Sequence, residues 1–249
     1  YKPLGYPGDF EVMRYLYERH FEGETLFAKA LHLAVIWTRG AQAVRCRKDL
    51  IKRRIAACVE AHKSRGEPVR IASIAAGPAQ EIYEFLRERS PDGPPMAFVV
   101  FDQDPMALSF AQRRLLPLTV TKWQGAVEIV YLRDSIKRLL SDPTIFQGFG
   151  PFDLIFCSGL FDYLRFESAR GLTGALYENL APGGELYIGN MVPENPCKWF
   201  LEHHLEWFLR YRSRPEMLEF AEAGAPGAEI SIEEEETGIN PFLRVQRPG

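Results

Sequence analysis

The sequence predicts an α/β fold built on a doubly wound, mostly parallel sheet. Short apolar runs alternate with helix-patterned segments over most of the chain, as they do when crossover helices join parallel strands. The first run starts at Val69, contains Ile71, Ile74 and their small neighbours, and ends at Gly77. It is apolar almost continuously, which is typical of a strand covered on both faces. Two runs near the C-terminus flank the turn TGIN. They predict a closing antiparallel pair and one antiparallel strand at the sheet edge.

The N-terminal part predicts a lid followed by a helical cover. Asp9 is positioned to cap a first helix. Over residues 24–65 the apolar residues recur at helical spacing, with an interruption near Gly40. We therefore expect residues 1–66 to form the lid and cover, and residues 67–249 to form the domain built on the sheet.

The second part predicts strands and helices in alternation. The strands expected after the first are 97–101, 127–131, 153–157, 185–190, 229–234 and 242–246. The first helix expected with them begins near Pro78. The others cover residues 105–114, 167–179, 196–211 and 215–223.

Composition and charge argue against two classes of function. The chain has 249 residues, 46% of them hydrophobic, and a formal net charge of -3. Neutralising phosphates requires a strongly basic face, so we expect no nucleic-acid partner. No apolar stretch reaches the length of a membrane span, no targeting peptide is visible, and the four cysteines lack paired spacing. These features predict a cytoplasmic protein with reduced thiols and no metal site, acting on a small-molecule or acyl partner; they leave the oligomeric state open.

The turn after the first strand predicts a cofactor site. Gly77 and Pro78 end the strand and start a helix, and open α/β sheets bind ligands at such strand ends. A dinucleotide site would have three glycines here, whereas this chain has Ala75, Gly77 and Ala79. The next strand ends in Asp102, about 20 residues on, where an acidic side chain can bind ribose hydroxyls. Ribose binding without a pyrophosphate suggests S-adenosylmethionine (SAM).

Four segments strengthen that interpretation by resemblance. IASIAAGPAQE, FVVFDQDPMAL, FDLIFCSGLFDYL and APGGELYIGN, in that order, resemble the successive motifs of class I SAM-dependent methyltransferases. The resemblance implies a seven-stranded Rossmann-like sheet, SAM as the cofactor and a catalytic domain at residues 67–249. The opening YKPLGYPGDFEV resembles the leader of a bacterial branch that includes synthases of 3-hydroxy fatty acid methyl esters, which are quorum signals. Ser73 and Ala75 depart from the commoner motif, which has an acidic residue and a glycine there.

The resemblance also implies a set of cofactor-binding residues. They are Tyr6, Ala75, Gly77, Pro78, Asp102, Gln103, Asp134, Ser135 and Ser158. Asp134 and Ser135 stand where this superfamily meets the adenine. The exocyclic amine of adenine can donate a hydrogen bond to a carboxylate, and a hydroxyl can serve a ring nitrogen. Capping of the next helix explains the same pair equally well. Tyr6 belongs either to a lid that closes over the cofactor or to a surface arm docked on the core.

The candidate catalytic residues, Asp162 and Tyr163, follow the fourth strand. The SAM sulfonium is a cation whose methyl group is attacked in line, and neighbouring aromatic faces or carboxylates stabilise its charge. We expect Tyr163 to line the methyl path and Asp162 to orient the nucleophile or take its proton. The alternative is ordinary packing, in which Phe161, Tyr163 and Leu164 cover the sheet.

Three further patterns bear on the substrate. Basic residues from Arg45 to Arg54 form either a patch for an acidic partner or a solvated helix face, and their alternation with apolar residues favours the solvated face. Aromatic residues of the predicted helices either wall a substrate pocket or belong to the core. These aromatic residues are Phe21, Phe27, Trp37, Trp199, Trp207 and Phe208. A carboxylate nucleophile is already ionised at neutral pH, and its candidate cationic partners are Arg165, Lys2 and Arg14.

The leading prediction is a SAM-dependent methyltransferase acting on a carboxylate or hydroxyl of a small or fatty-acyl substrate. A second hypothesis is attack on the aminocarboxypropyl chain of SAM, for example by intramolecular cyclisation. That reaction releases methylthioadenosine (MTA), whereas methyl transfer releases S-adenosylhomocysteine (SAH). A third hypothesis is a binding module with a degenerate site, supported only by Ala75 in place of glycine.

Overall fold

The fold is that of a computed structural model, which describes residues 8–249. Its helices are α1 (Phe10–Glu18), α2 (Leu26–Ile36), α3 (Arg39–Ala61), α4 (Gln80–Glu88), α5 (Pro105–Pro117), α6 (Ile136–Ser141), α7 (Phe166–Glu178), α8 (Lys198–His204) and α9 (Arg214–Gly224). Its strands are β1 (Val69–Ile74), β2 (Met96–Asp102), β3 (Val127–Arg133), β4 (Phe152–Cys157), β5 (Leu180–Gly189), β6 (Glu229–Glu233) and β7 (Phe242–Gln246). The predicted α/β fold with seven strands is confirmed.

The seven strands form one mixed sheet in the order β3-β2-β1-β4-β5-β7-β6. The first five strands are parallel to their neighbours, whereas β7 runs antiparallel to both β5 and β6. The prediction of an antiparallel strand at the edge is therefore wrong. β7 lies inside the sheet because its Phe242, Leu243 and Val245 are buried, while β6 is only half-covered and forms the edge.

The strand order creates a crevice beside β1. From β1 the chain adds β2 and β3 on one side, then crosses over to add β4 and β5 on the other. Such a reversal of strand order leaves room at the carboxyl ends of the strands, where ligands of open α/β sheets bind.

Helices cover both faces of the sheet. On one face, α3, α4 and α5 pack on the sheet through residues such as Ile55, Ile82 and Leu115. On the other face, α6, α7 and α9 pack through residues such as Leu139, Leu176 and Phe220. This two-sided cover explains the nearly continuous apolar character of the central strands.

A third apolar cluster joins the N-terminal helices to α8. Its buried members are Met13, Leu16, Ile36, Ala41, Val44, Met191, Leu201 and Trp207. Asp9 caps α1 as predicted, because its side chain accepts a hydrogen bond from the backbone N–H of Val12. The division of the chain near residue 66 stays a prediction, because α3 contributes to this cluster and also to the cover of the sheet.

Two predictions about the cover helices are wrong. The basic run on α3 is not wholly solvated, because Arg47 and Lys48 are buried and Lys48 Nζ donates to Glu84 Oε2 at 2.5 Å. Five of the six aromatic residues are exposed: Phe21, Phe27, Trp37, Trp199 and Phe208. The first four belong neither to the core nor to the lining of a pocket.

Two helix boundaries also differ from prediction. The helix expected over residues 196–211 ends at His204, and an extended segment continues to residue 213. Glu206 in this segment has a φ of 47°, in the left-handed region that a right-handed helix excludes. Pro78 is not in the first turn of α4, because Ala79, with a φ of 48°, separates it from the first helical residue, Gln80.

Candidate functional site

A cavity of about 540 Å³ opens at the carboxyl ends of β1, β2 and β4. Its lining includes most of the predicted site residues, namely Ala75, Gly77, Pro78, Asp102, Gln103, Ser158, Asp162 and Tyr163. Gly8, with Phe10, Met13 and Tyr17 of α1, lines it from the N-terminal side. The sheet topology thus brings together residues that are more than 80 positions apart in the sequence.

The loop between β1 and α4 is held in an unusual backbone conformation. Ala75, Gly77 and Ala79 have φ values of 52°, 54° and 48°. For alanine this region is sparsely populated, and such strained residues cluster at ligand sites. The Gly77 N–H donates to Asp102 Oδ2 at 2.8 Å, so the acidic residue at the end of β2 fixes the glycine loop.

Asp102 is buried at the cavity wall and is also held by backbone groups. Its Oδ1 accepts a hydrogen bond from the Asp104 N–H at 2.9 Å. Burial raises the pKa of this carboxyl, and the backbone donors of Asp104 and Gly77 oppose that shift. The exposed Gln103 continues the same wall. Asp102 is therefore a rigidly positioned acceptor facing the cavity.

Asp162 and Tyr163 lie in a single 3-10 turn after β4. Asp162 Oδ1 accepts from the Met191 N–H at 2.7 Å, and burial raises the pKa of Asp162 to about 6. The Tyr163 hydroxyl accepts from Trp207 Nε1 at 2.7 Å. Burial of the phenol, followed by the charge of Asp162, raises the pKa of Tyr163 to about 12. At neutral pH Tyr163 is thus a hydroxyl group, while Asp162 is mostly a carboxylate.

Two predicted binding residues in the described part of the chain are not brought to the cavity. Asp134 and Ser135 do not line it, although the next residue, Ile136, does. Asp134 Oδ2 instead accepts from Arg138 Nη1 at 2.9 Å, and Ser135 caps α6. Tyr6 lies outside the described residues, and its assignment to a lid or an arm stays a prediction.

Two of the three candidate carboxylate partners are also elsewhere. Arg14 is paired with Glu11 and Glu18 on its own helix, and Arg165 is not among the lining residues. Lys2 lies outside the described residues.

Three charged residues that were not predicted as site residues line the cavity, Arg47, Glu81 and Glu206. Burial raises the pKa of Glu81 to about 7. A signal for Arg47 was available in the sequence. Arg47 stands three residues after Val44 and four before Ile51, so helical geometry places its side chain on the buried stripe of the helix.

Trp207 and Phe208, which the sequence offered as walls of a pocket, also line the cavity. No comparable sequence signal existed for Glu206 and Leu209, which line it because α8 ends early.

The described residues restrict other functions. Within residues 8–249, no group of three His, Cys, Asp or Glu side chains is arranged to bind a metal ion. The cysteines of this part of the chain are free thiols. In the same range, no helix combines the length and apolar character needed to cross a membrane.

Comparisons with known proteins extend the description of the fold. No protein-family model matches the chain. No curated protein matches it either. Among solved structures, one similar chain is described as a possible exported protein from Bordetella parapertussis, with 17% identity, a TM-score of 0.70 and coverage of 97% of this chain and 80% of that one.

Other similar structures are methyltransferases. Magnesium protoporphyrin IX methyltransferase from Synechocystis PCC 6803, solved with bound SAH, has 11% identity and a TM-score of 0.60, covering 96% of this chain and 94% of its own. An O-methyltransferase family protein from Burkholderia thailandensis has 18% identity and a TM-score of 0.54. The match covers 92% of this chain and 64% of that one. The chain therefore has a fold that is found in SAM-dependent methyltransferases.

Proposed function

We propose that this protein is a SAM-dependent methyltransferase. The observation that carries the proposal is the cavity at the carboxyl ends of β1, β2 and β4. It combines the glycine loop, Asp102 and the Asp162–Tyr163 turn in a fold found in methyltransferases. The ordered motifs of the sequence support the same conclusion.

The residues at these strand ends fit the cofactor. Asp102 presents a fixed carboxylate suited to ribose hydroxyls. The Gly77 N–H is already used by Asp102, which makes the loop a poor cradle for a pyrophosphate and suits a cofactor without one. When bound, SAM supplies an electrophilic methyl group. Ala75, Pro78 and Ser158 form the adjoining walls. Binding roles for Asp134 and Ser135 remain predictions that this cavity does not require.

The proposed acceptor is a carboxylate or hydroxyl of a small or fatty-acyl substrate. A carboxylate needs no general base, so the protein has only to align it with the methyl group. For a hydroxyl, Asp162 is suited to take the proton, since it is mostly ionised at neutral pH. Tyr163 stays protonated and lines the path as a wall and hydrogen-bonding group. Assignment to the quorum-signal branch rests on the sequence motifs alone, and a cytoplasmic location stays a prediction.

The test begins with calorimetric binding of SAH and with mass spectrometry of the adenosyl products. We expect SAH to bind, and SAH to be formed from SAM only when an acceptor is added from a panel of carboxylic acids and alcohols. The panel includes 3-hydroxy fatty acids. Failure of the protein to bind either SAM or SAH would refute the assignment of SAM as its cofactor. Formation of MTA without an acceptor, faster than the spontaneous breakdown of SAM, would refute methyl transfer in favour of aminocarboxypropyl chemistry.

A further inference from the structure

Arg47 is a buried cation in the wall of the cavity. Its side chain projects from α3 and is only 6% exposed. Removing a guanidinium from water costs several kcal/mol unless other groups compensate its charge and its hydrogen bonds. The partners of Arg47 therefore show whether its charge is already satisfied within the protein.

The partners of Arg47 are neutral. Nη1 donates to Asn240 Oδ1 at 2.9 Å, and Nη2 lies 3.7 Å from Met13 Sδ. The charge of Arg47 opposes the burial that raises the pKa of Tyr17 to about 12. Among residues 8–249, the buried Nε has no hydrogen-bond partner. Within residues 8–249, no carboxylate oxygen lies within the 4.0 Å of an ion pair with Arg47. Among the described residues the guanidinium thus retains a donor without a partner and has no carboxylate in direct contact.

Two carboxyl groups face this charge from a greater distance. Glu81 on α4 and Asp162 after β4 both line the cavity. Burial raises their pKa values to about 7 and about 6, and Arg47 opposes both shifts. Their burial disfavours ionisation, and neither makes contact with the guanidinium.

A glycine, Gly159, lies beside the guanidinium of Arg47. A Cβ added to Gly159 would lie 3.1 Å from Nη2 and 3.3 Å from Nη1 of Arg47. Gly159 follows Ser158 at the carboxyl end of β4, immediately before the Asp162–Tyr163 turn. The lack of a side chain at Gly159 therefore lets the guanidinium reach the strand end where we propose that the chemistry occurs.

We infer that Arg47 is the group of this cavity that binds a ligand carboxylate. The planar fork of a guanidinium matches a carboxylate in geometry as well as charge. The inference rests on the proposed function, which brings two carboxylates to the cavity: that of the cofactor's amino-acid part and that of a carboxylic acid acceptor. The carboxylate chemistry is the same in both cases, and the experiment separates the two sources.

The first arm measures cofactor binding by calorimetry in wild type, Arg47→Met and the control Arg53→Met. Arg53 is exposed on the same helix, so its substitution removes the same charge from outside the cavity. If Arg47 binds the cofactor's carboxylate, the substitution Arg47→Met lowers the affinity for SAH by about tenfold to a hundredfold. MTA has no amino-acid part, so its affinity then stays unchanged, and Arg53→Met leaves both ligands unaffected.

The second arm measures the binding of decanoate and of the uncharged decan-1-ol in the presence of saturating SAH. If Arg47 binds the acceptor's carboxylate, Arg47→Met leaves SAH unchanged and lowers decanoate affinity by about tenfold or more, without changing that of decan-1-ol. Equal binding of SAH, MTA and decanoate by Arg47→Met and wild type overturns the inference. Failure of the wild type to bind SAH is a different result, because it overturns the proposed function itself.

Two further variants keep the test decisive if Arg47→Met does not fold. Arg47→Lys keeps the charge but removes the planar fork, and is expected to retain part of the carboxylate affinity. Gly159→Ala keeps Arg47 intact but displaces its guanidinium, and is expected to cause the same selective loss. Carboxylate affinity equal to that of the wild type in both variants refutes the role of Arg47.

Discussion

Asp102 makes two sets of contacts, and its substitution should affect both binding and stability. Its carboxylate holds the N–H groups of Gly77 and Asp104 and faces the cavity. We expect Asp102→Ala to weaken SAH by about 1–3 kcal/mol and to lower the free energy of unfolding by a similar amount. Calorimetry and urea unfolding measure the two effects. Asp134→Ala is the comparison, because Asp134 does not line the cavity. A larger loss of SAH affinity in Asp134→Ala would place the cofactor elsewhere.

Glu81 gives the stability of the protein a particular dependence on pH. Burial raises its pKa from 4.5 to about 7 in the folded state. Between these values the unfolded chain has lost a proton that the folded protein retains, so stability falls as pH rises and levels off above about 7. We expect Glu81→Gln to exceed wild type in unfolding free energy by up to about 3 kcal/mol at pH 8, and by little at pH 4.5.

Urea unfolding across this pH range measures the difference between the two proteins. Glu128→Gln is a matched control, because Glu128 is exposed on β3. A constant difference between Glu81→Gln and wild type at all pH values would show that burial does not perturb Glu81.

At the scale of elements, Gly8 joins the N-terminal turn to the segment after α8. Its φ is 72°, and an added Cβ would lie 2.7 Å from the Tyr163 hydroxyl and closer still to Trp207 Cζ2. Gly8→Ala should therefore lower the free energy of unfolding by about 1 kcal/mol through backbone strain. By displacing the Tyr163–Trp207 pair it should also weaken SAH several-fold.

Gly125→Ala separates the two effects of that substitution. Gly125 has a φ of 88° but no atom within 4 Å of an added Cβ. Thermal unfolding should therefore show a similar loss of stability, whereas calorimetry should show unchanged SAH affinity. Equal SAH affinities in the two alanine variants would mean that the contact of Gly8 with Tyr163 and Trp207 is irrelevant to the site.

Most strands and helices, and much of the cavity, could be predicted because their signals are local. The apolar run of β1, the cap at Asp9 and the carboxylate of Asp102 each follow from periodicity or from position at a strand end. The interior position of β7 could not, because strand order depends on burial against distant elements. Arg47 was misjudged because its charge suggested solvent, whereas its helical position placed it on the buried stripe.

At the scale of the whole molecule, α3 links the cover to the sheet. Its 23 residues span about 35 Å. Val44 near its start packs with α1 and α8, whereas Leu50, Ile51, Ile55 and Val59 pack in the cluster beneath the sheet. Burial of four such aliphatic side chains contributes about 6–12 kcal/mol, which is comparable to the net stability of a domain. We therefore expect the cover and the sheet to unfold as one cooperative unit.

Ile55 and Leu26 provide a matched test of that expectation. Ile55 on α3 is fully buried, whereas Leu26 on α2 is 87% exposed. Ile55→Ala should lower the free energy of unfolding by about 2–5 kcal/mol, and Leu26→Ala by less than about 0.5 kcal/mol. Urea unfolding is followed in proteins that retain only Trp207, in the cover cluster, or only Trp123, in the sheet cluster. The two reporters should show the same midpoint, and Ile55→Ala should shift both equally. Separate midpoints would instead show that the cover cluster and the sheet cluster unfold as two units.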